Sequence, residues 1–158
     1  MLLVSITRLR VRSFRYLPAF LLGSLRSARE AKNASGNLAV AVLSDANLTF
    51  WTRTLWTDER SMRAFMLAPA HRRVMPKLPQ WCDEAAVTRW LQDSPEPPSW
   101  QEVHRRLQQE GRTSNFNCRA VFGGGISKRT GARPAIGPII ISAIIEITLD
   151  CRSYFNNH

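Results

Sequence analysis

Acidic residues are scarce in this chain of 158 residues, and none occurs among the first 29. Twelve acids face 22 Lys and Arg, leaving a formal net charge of +10. Such a balance attracts nucleic acid or an anionic membrane surface. The basic residues are scattered, however, with no run of five or more like charges and no nucleic-acid signature motif, so a solvated basic surface is the plainer reading. The arginine-bearing, acid-free start also fits a transit peptide. No small-residue cleavage site follows a clean apolar core, which favours a first strand and a basic-faced helix. Cysteine is equally sparse. Cys82, Cys118 and Cys151 are spaced too widely for a disulfide framework or a zinc pattern, and a reducing cytoplasm suits them. No apolar run reaches the length that spans a bilayer. Gly123–Gly125 lacks the Gly-Lys-Ser/Thr of a phosphate loop.

The hydrophobic fraction of 44% is that of a folded chain with one core. Leu2 to Val11 reads as a strand with Leu3, Ser5, Thr7, Leu9 and Val11 on one face. A helix starts near Ser13, with Pro18 in its first turn. Tyr16, Leu17, Phe20, Leu21, Leu25 and Ala28 form its apolar stripe. Gly36 suits a left-handed position after that helix. Asn37 to Leu43 and Leu48 to Trp56 make a hairpin, and the second strand carries aromatics on both faces, which predicts an internal position. Thr57 is the expected N-cap of a helix with Met62, Phe65 and Met66 on its inner stripe. Ala70 to Met75 is a further helical turn, and Ala85 to Leu91 a fourth strand. After a Pro-rich linker, Ser99-Trp100-Gln101-Glu102 is a capping box that opens a helix to Glu110, stopped by Gly111 and packed through Trp100, Val103 and Leu107.

The order is strand–helix–strand–strand–helix–strand plus a C-terminal helix. That is the ferredoxin-like split βαβ arrangement, an α+β sandwich. It places one domain at residues 1–112. Residues 113–158 read as an atypical tail, either poorly ordered or an appended strand. The tail holds five of the eight glycines and the isoleucine-rich run from Pro138 to Leu149, a self-associating pattern if exposed. It is either an appendage of the kind a frameshift or displaced stop codon produces, or an extra strand that docks on a sheet edge.

His71 is the first candidate for chemistry, because a histidine serves as a base near neutral pH or as a metal or haem ligand. Arg72 beside it suits an anionic group. Trp51 and Trp56 lie on opposite faces of one strand, as stacking walls or as core. Arg53 in an apolar strand needs a partner or a wet cavity. Asp83 and Glu84 read as turn residues, His104 as exposed, and Cys82 as having no neighbouring His or Lys to activate it.

The run FWTRTLWTDERSMRAFMLAPAHRRVMPKL, with the strand–helix–hairpin before it, resembles the dimeric α+β barrel superfamily. Within it the resemblance is to antibiotic-biosynthesis-monooxygenase-like domains, and closest to small bacterial proteins of unknown function that look like spheroidene monooxygenase. It covers about residues 2–112. The resemblance implies a homodimer and a pocket between sheet and helices for a flat apolar or aromatic small molecule. The resemblance fixes no catalytic position; on the residues themselves His71 is the candidate catalytic residue, and Trp51, Trp56, Arg53, Arg72 and Phe65 are the candidates to bind substrate. No metal is implied. In cofactor-independent members dioxygen oxidises an electron-rich polycyclic phenol, whereas spheroidene-monooxygenase-like members are associated with haem. Three rivals stay open: a haem-associated member with His71 as axial ligand, a non-catalytic ligand-binding or structural homodimer, and a binder of nucleic acid or anionic surfaces.

Overall fold

The computed structural model describes residues 1–115 and 147–149, with side chains for residues 1–114. Four antiparallel strands form the body of the sheet: β1 (Leu2–Val11), β2 (Asn37–Asp45), β3 (Thr49–Trp56) and β4 (Cys82–Gln92). With β5 (Arg112–Asn115) and β6 (Ile147–Leu149) the spatial order is β5-β4-β1-β3-β2-β6. The inner order β4-β1-β3-β2 is that of the ferredoxin-like fold expected from sequence. Most of the expected tail, residues 116–146 and 150–158, lies outside the described residues.

Alternation along the strands assigns the two faces. Leu3, Val40 and Trp56 pack against α1 (Leu17–Lys32) and α2 (Glu59–Met66) through Ala28, Ala31 and Met62. Farther along the same face, Val11 and Cys82 meet Phe20 of α1 and Leu78 and Trp81 of α4 (Leu78–Trp81). Between these helices runs α3 (Pro69–Val74). Val4, Ile6, Leu43, Trp51, Leu55 and Trp90 point to the other face, where α5 (Trp100–Glu110) covers them with Val103, Trp100 and Leu107. β3 is therefore internal and covered on both sides, as its two aromatic faces require.

Four local expectations are corrected. The first helix is preceded by a 3₁₀ turn at Phe14–Tyr16, and α1 buries Phe20, Ala28 and Ala31 while Leu21 and Leu25 are exposed. The cap of α2 is Asp58 rather than Thr57: its carboxylate accepts from the Ser61 N–H at 2.8 Å, and the Thr57 hydroxyl donates to the same carboxylate. A charged acceptor at a helix N-terminus outcompetes a hydroxyl, and the cap holds the Asp58 carboxyl below its usual range. β4 begins at Cys82, so Asp83 and Glu84 are strand residues and not a turn. They pair across to β1, Asp83 with Arg10 at 2.8 Å and Glu84 with Arg8. The fourth correction, His104, belongs to the site below.

Gly36 does take a left-handed conformation, with φ of +78°. It sits in the α1–β2 turn, three residues beyond the Asn33 cap. At the β2–β3 turn Asn47 and Leu48 share positive φ. Leu48 tolerates that strain because its side chain packs on the Val11–Phe20 cluster and its carbonyl accepts from Val11 N–H at 2.9 Å.

Candidate functional site

The sheet divides the candidate residues into two groups. On the helix side, Trp56 closes β3 fully buried, and its indole N–H donates to the Thr54 hydroxyl at 2.9 Å. Phe65, one turn after the buried Met62 of α2, stacks on it with centroids 5.3 Å apart. Pro69 holds Ala68 extended, ending α2 and starting α3, so that His71 falls in the first turn of α3. Its ring meets Phe65 at 4.7 Å. Glu30 of α1 fixes this turn by accepting from the backbone N–H groups of Ala70, at 2.9 Å, and His71, at 3.0 Å. A carboxylate on a helix N-terminus is the favoured sign there.

His71 Nδ1 lies 3.1 Å from the Met66 carbonyl oxygen. A carbonyl only accepts, so Nδ1 carries the proton in the neutral ring and Nε2 keeps the lone pair. Burial lowers the His71 pKa below 6.5, against the bond to Met66 and the charge of Glu30, which raise it. At neutral pH the ring is thus an uncharged base with its tautomer set by one hydrogen bond.

A cleft of about 1070 Å³ opens beside this stack. Its walls are the end of α1 and the turn after it (Glu30, Asn33–Ser35), the start and inner edge of α2 (Asp58, Arg60, Ser61, Ala64, Phe65) and the start of α3 (Ala68, Pro69). No strand residue lines it among the described residues, so there it lies among the helices rather than between sheet and helices. Phe65 lines the cleft and touches both Trp56 and His71, neither of which is among the lining residues.

On the opposite face Trp51 stacks on His104 of α5 at 4.2 Å, and the Arg8 guanidinium stands over the Trp51 ring at 5.6 Å. Arg53 lies over the Trp100 ring at 4.6 Å and donates to the Pro98 carbonyl. The indole N–H groups of Trp51 and Trp100 are buried with no hydrogen-bond partner among the described residues. His104 is half-buried, not exposed as its sequence context suggested. Its position was legible: 100, 103, 104 and 107 form one i, i+3, i+4, i+7 stripe. Burial lowers its pKa too, with Asp45 opposing and Arg8 reinforcing. The structure therefore brings Trp56, Phe65 and His71 together, sets Trp51 and Arg53 across the sheet from them, and leaves Arg72 exposed. No group of three or more His, Cys, Asp or Glu side chains suited to a metal ion occurs among the described residues.

Two lowered histidines give a signed pH dependence. The unfolded chain takes up protons near pH 6.5, the folded chain only at lower pH. Stability is full above the unfolded pKa and falls as pH drops below about 6.5 toward the folded values. Urea midpoints should decline across that window, and the double variant His71→Gln/His104→Gln should flatten the decline. An unchanged slope in the double variant would assign it to other groups.

No family model matches the sequence, and none of the curated proteins matches it. Solved structures do. One from Nitrosomonas europaea, described as an antibiotic biosynthesis monooxygenase, is 14% identical with a TM-score of 0.54, covering 60% of this chain and 92% of that one. Rv0793 from Mycobacterium tuberculosis is 10% identical with a TM-score of 0.55, covering 60% and 97%. A conserved protein from Methanosarcina mazei is 14% identical with a TM-score of 0.53, covering 59% and 94%. At these identities the likeness is one of fold: the chain has the ferredoxin-like α+β fold of the antibiotic-biosynthesis-monooxygenase-like proteins. Among the described residues no helix is long and apolar enough to cross a membrane.

Proposed function

We propose that the chain is a monooxygenase-like protein that takes a flat aromatic small molecule in the helix-side cleft, without flavin or metal. The observation that carries this reading is the Trp56–Phe65–His71 cluster, in which Phe65 lines the cleft, stacks on Trp56 and meets, tilted, a neutral imidazole whose Nδ1–H is committed to Met66. Phe65 supplies a flat apolar wall to the cleft. In this reading an acidic conjugated phenol gives a proton to His71 Nε2. Its anion passes an electron to dioxygen, and radical recombination forms the C–O bond. The peroxide so formed takes the proton back from His71 and loses water as the remaining proton on that carbon departs, so the O–O bond breaks, one oxygen atom stays as a carbonyl and the other leaves as water. The monooxygenase-like fold supports the class of reaction but not the substrate, since one fold hosts many chemistries.

Haem suits these residues less well. Its two propionates need cations, and Arg60 is the single cation among the cleft residues, beside Glu30 and Asp58. A homodimer also belongs to this reading. Among the described residues α5 alone covers the sheet face bearing Arg8, Trp51 and Arg53, and a second copy would complete that cover.

Oxygen uptake with a polycyclic phenol tests the proposal. The full chain should consume oxygen, with kcat/KM rising to a plateau above a pKa lower than 6.5. His71→Ala should lower kcat by about 10²–10⁴-fold, the usual range for a general base. Phe65→Ala should raise KM. Uptake that His71→Ala leaves intact would remove His71 as the base. A Soret band induced by haemin and shifted in His71→Ala would favour the haem reading.

A further inference from the structure

Helix α1 carries large apolar side chains on the side away from its own core. Pro18, Leu21, Leu22, Leu25 and Arg29 follow one another at i, i+3, i+4, i+7 and i+11, which places them on one stripe. Phe20, Ser24, Ser27 and Ala31 face the sheet side, so the serines are inside and the leucines outside. Leu22 is 52% exposed, and Phe14, in the turn that leads into the helix, is 74% exposed. Val74 of α3 lies against Gly23, which seats α3 beside α1, and Met75, the residue after Val74, is exposed as well. Single exposed leucines need no explanation, whereas a contiguous strip does.

Charge around the strip has one sign. Arg26 and Arg29 are exposed on α1, and Arg72 and Arg73 on the adjacent α3. None of these four has an acidic partner among the described residues. Glu30, the first acid of the chain, is withdrawn into the cap of α3. Two copies of such a face would repel each other, while an anionic surface would neutralise it. An apolar stripe bordered by arginines, on a helix too short and too charged to span, is the pattern of a helix lying in the plane of a membrane interface.

We propose that the outer face of α1, with Phe14 and Met75, is a peripheral docking surface for anionic lipid bilayers. Leu21, Leu22 and Leu25 enter the headgroup–acyl boundary, and Arg26, Arg29, Arg72 and Arg73 meet lipid phosphates and carboxylates.

Co-sedimentation of the full chain with vesicles tests this, using phosphatidylcholine alone or mixed with phosphatidylserine. Binding should require phosphatidylserine and weaken as salt rises from about 50 to 500 mM. Leu22→Ser/Leu25→Ser should weaken it by about tenfold or more while leaving the far-UV spectrum and urea midpoint in place, because both side chains are already exposed. Arg26→Gln/Arg29→Gln should weaken it as well. Three results would overturn the proposal: no binding to phosphatidylserine vesicles at low salt; binding that the leucine variant leaves unchanged; or an oligomer in solution that the leucine variant disperses, which would give the face to a second copy.

Discussion

Trp56→Ala should destabilise the domain by about 3–5 kcal/mol, the largest loss expected from any single truncation, and urea unfolding followed by far-UV circular dichroism reads it directly. Trp56 is fully buried and holds together three elements: its own strand, α1 through Ala28 and Ala31, and α2 through Met62 and Phe65. Removing the ring leaves a cavity that the sheet cannot close, because β3 is hydrogen-bonded on both sides. A loss of this size is a large share of the 5–15 kcal/mol typical of a domain. Trp56→Phe is the milder truncation. It keeps an aromatic wall for Phe65, leaves a smaller void than alanine does, and removes the N–H to Thr54, whose hydroxyl still donates to the Ser5 carbonyl at 3.2 Å. The expected loss there is about 1–2 kcal/mol. If both variants unfolded at the wild-type urea concentration, Trp56 would not be what ties β3 to α1 and α2.

Gly36→Ala ranks next, at about 3 kcal/mol, the sum of left-handed backbone strain and overpacking. The φ of +78° penalises any Cβ. The space penalises it further, since an added methyl would collide with the Ser61 hydroxyl and come within 2.6 Å of Ser61 Cβ and Thr57 Oγ1. Neither neighbour is free to swing away. The Ser61 hydroxyl donates to Asp58 at 3.0 Å within the α2 cap, and Thr57 N–H donates to the Gly36 carbonyl at 2.8 Å. Adding Ser61→Ala to Gly36→Ala should recover part of the loss by clearing the closest contact. If the second substitution adds its own loss with no recovery, the clash is not what matters.

Period-2 alternation made the strands legible, and the inner sheet order followed from the order of elements. Aromatics on both faces of β3 announced an internal strand, and the capping box at Ser99 located α5 to the residue. Competition between neighbours of similar chemistry was not legible. Thr57 and Asp58 are both good caps, and only the structure shows which carboxylate or hydroxyl reaches Ser61. The α1 stripe was misread because Leu21 and Leu25 share helical spacing with Phe20 and Ala28, and spacing alone cannot say which side faces the sheet. His71 and Phe65 were legible as types and as near neighbours around a proline break. The stacking of Phe65 on Trp56, its tilted contact with His71, and the commitment of Nδ1 to Met66 depend on a tertiary approach that no local pattern encodes.

The central place of β1 sets a schedule for folding. Its neighbours are β3 and β4, and β4 is synthesised some seventy residues after β1 ends, a delay on the order of several seconds at ribosomal speed. During that interval β1 can pair with β3 but keeps its other edge open, with Val4 and Ile6 still wet on the face later covered by Trp90 of β4 and by α5. The nascent chain is therefore most vulnerable to edge-to-edge association just before β4 emerges. Insertion of β4 beside β1, a non-local pairing, is the step expected to limit the folding rate.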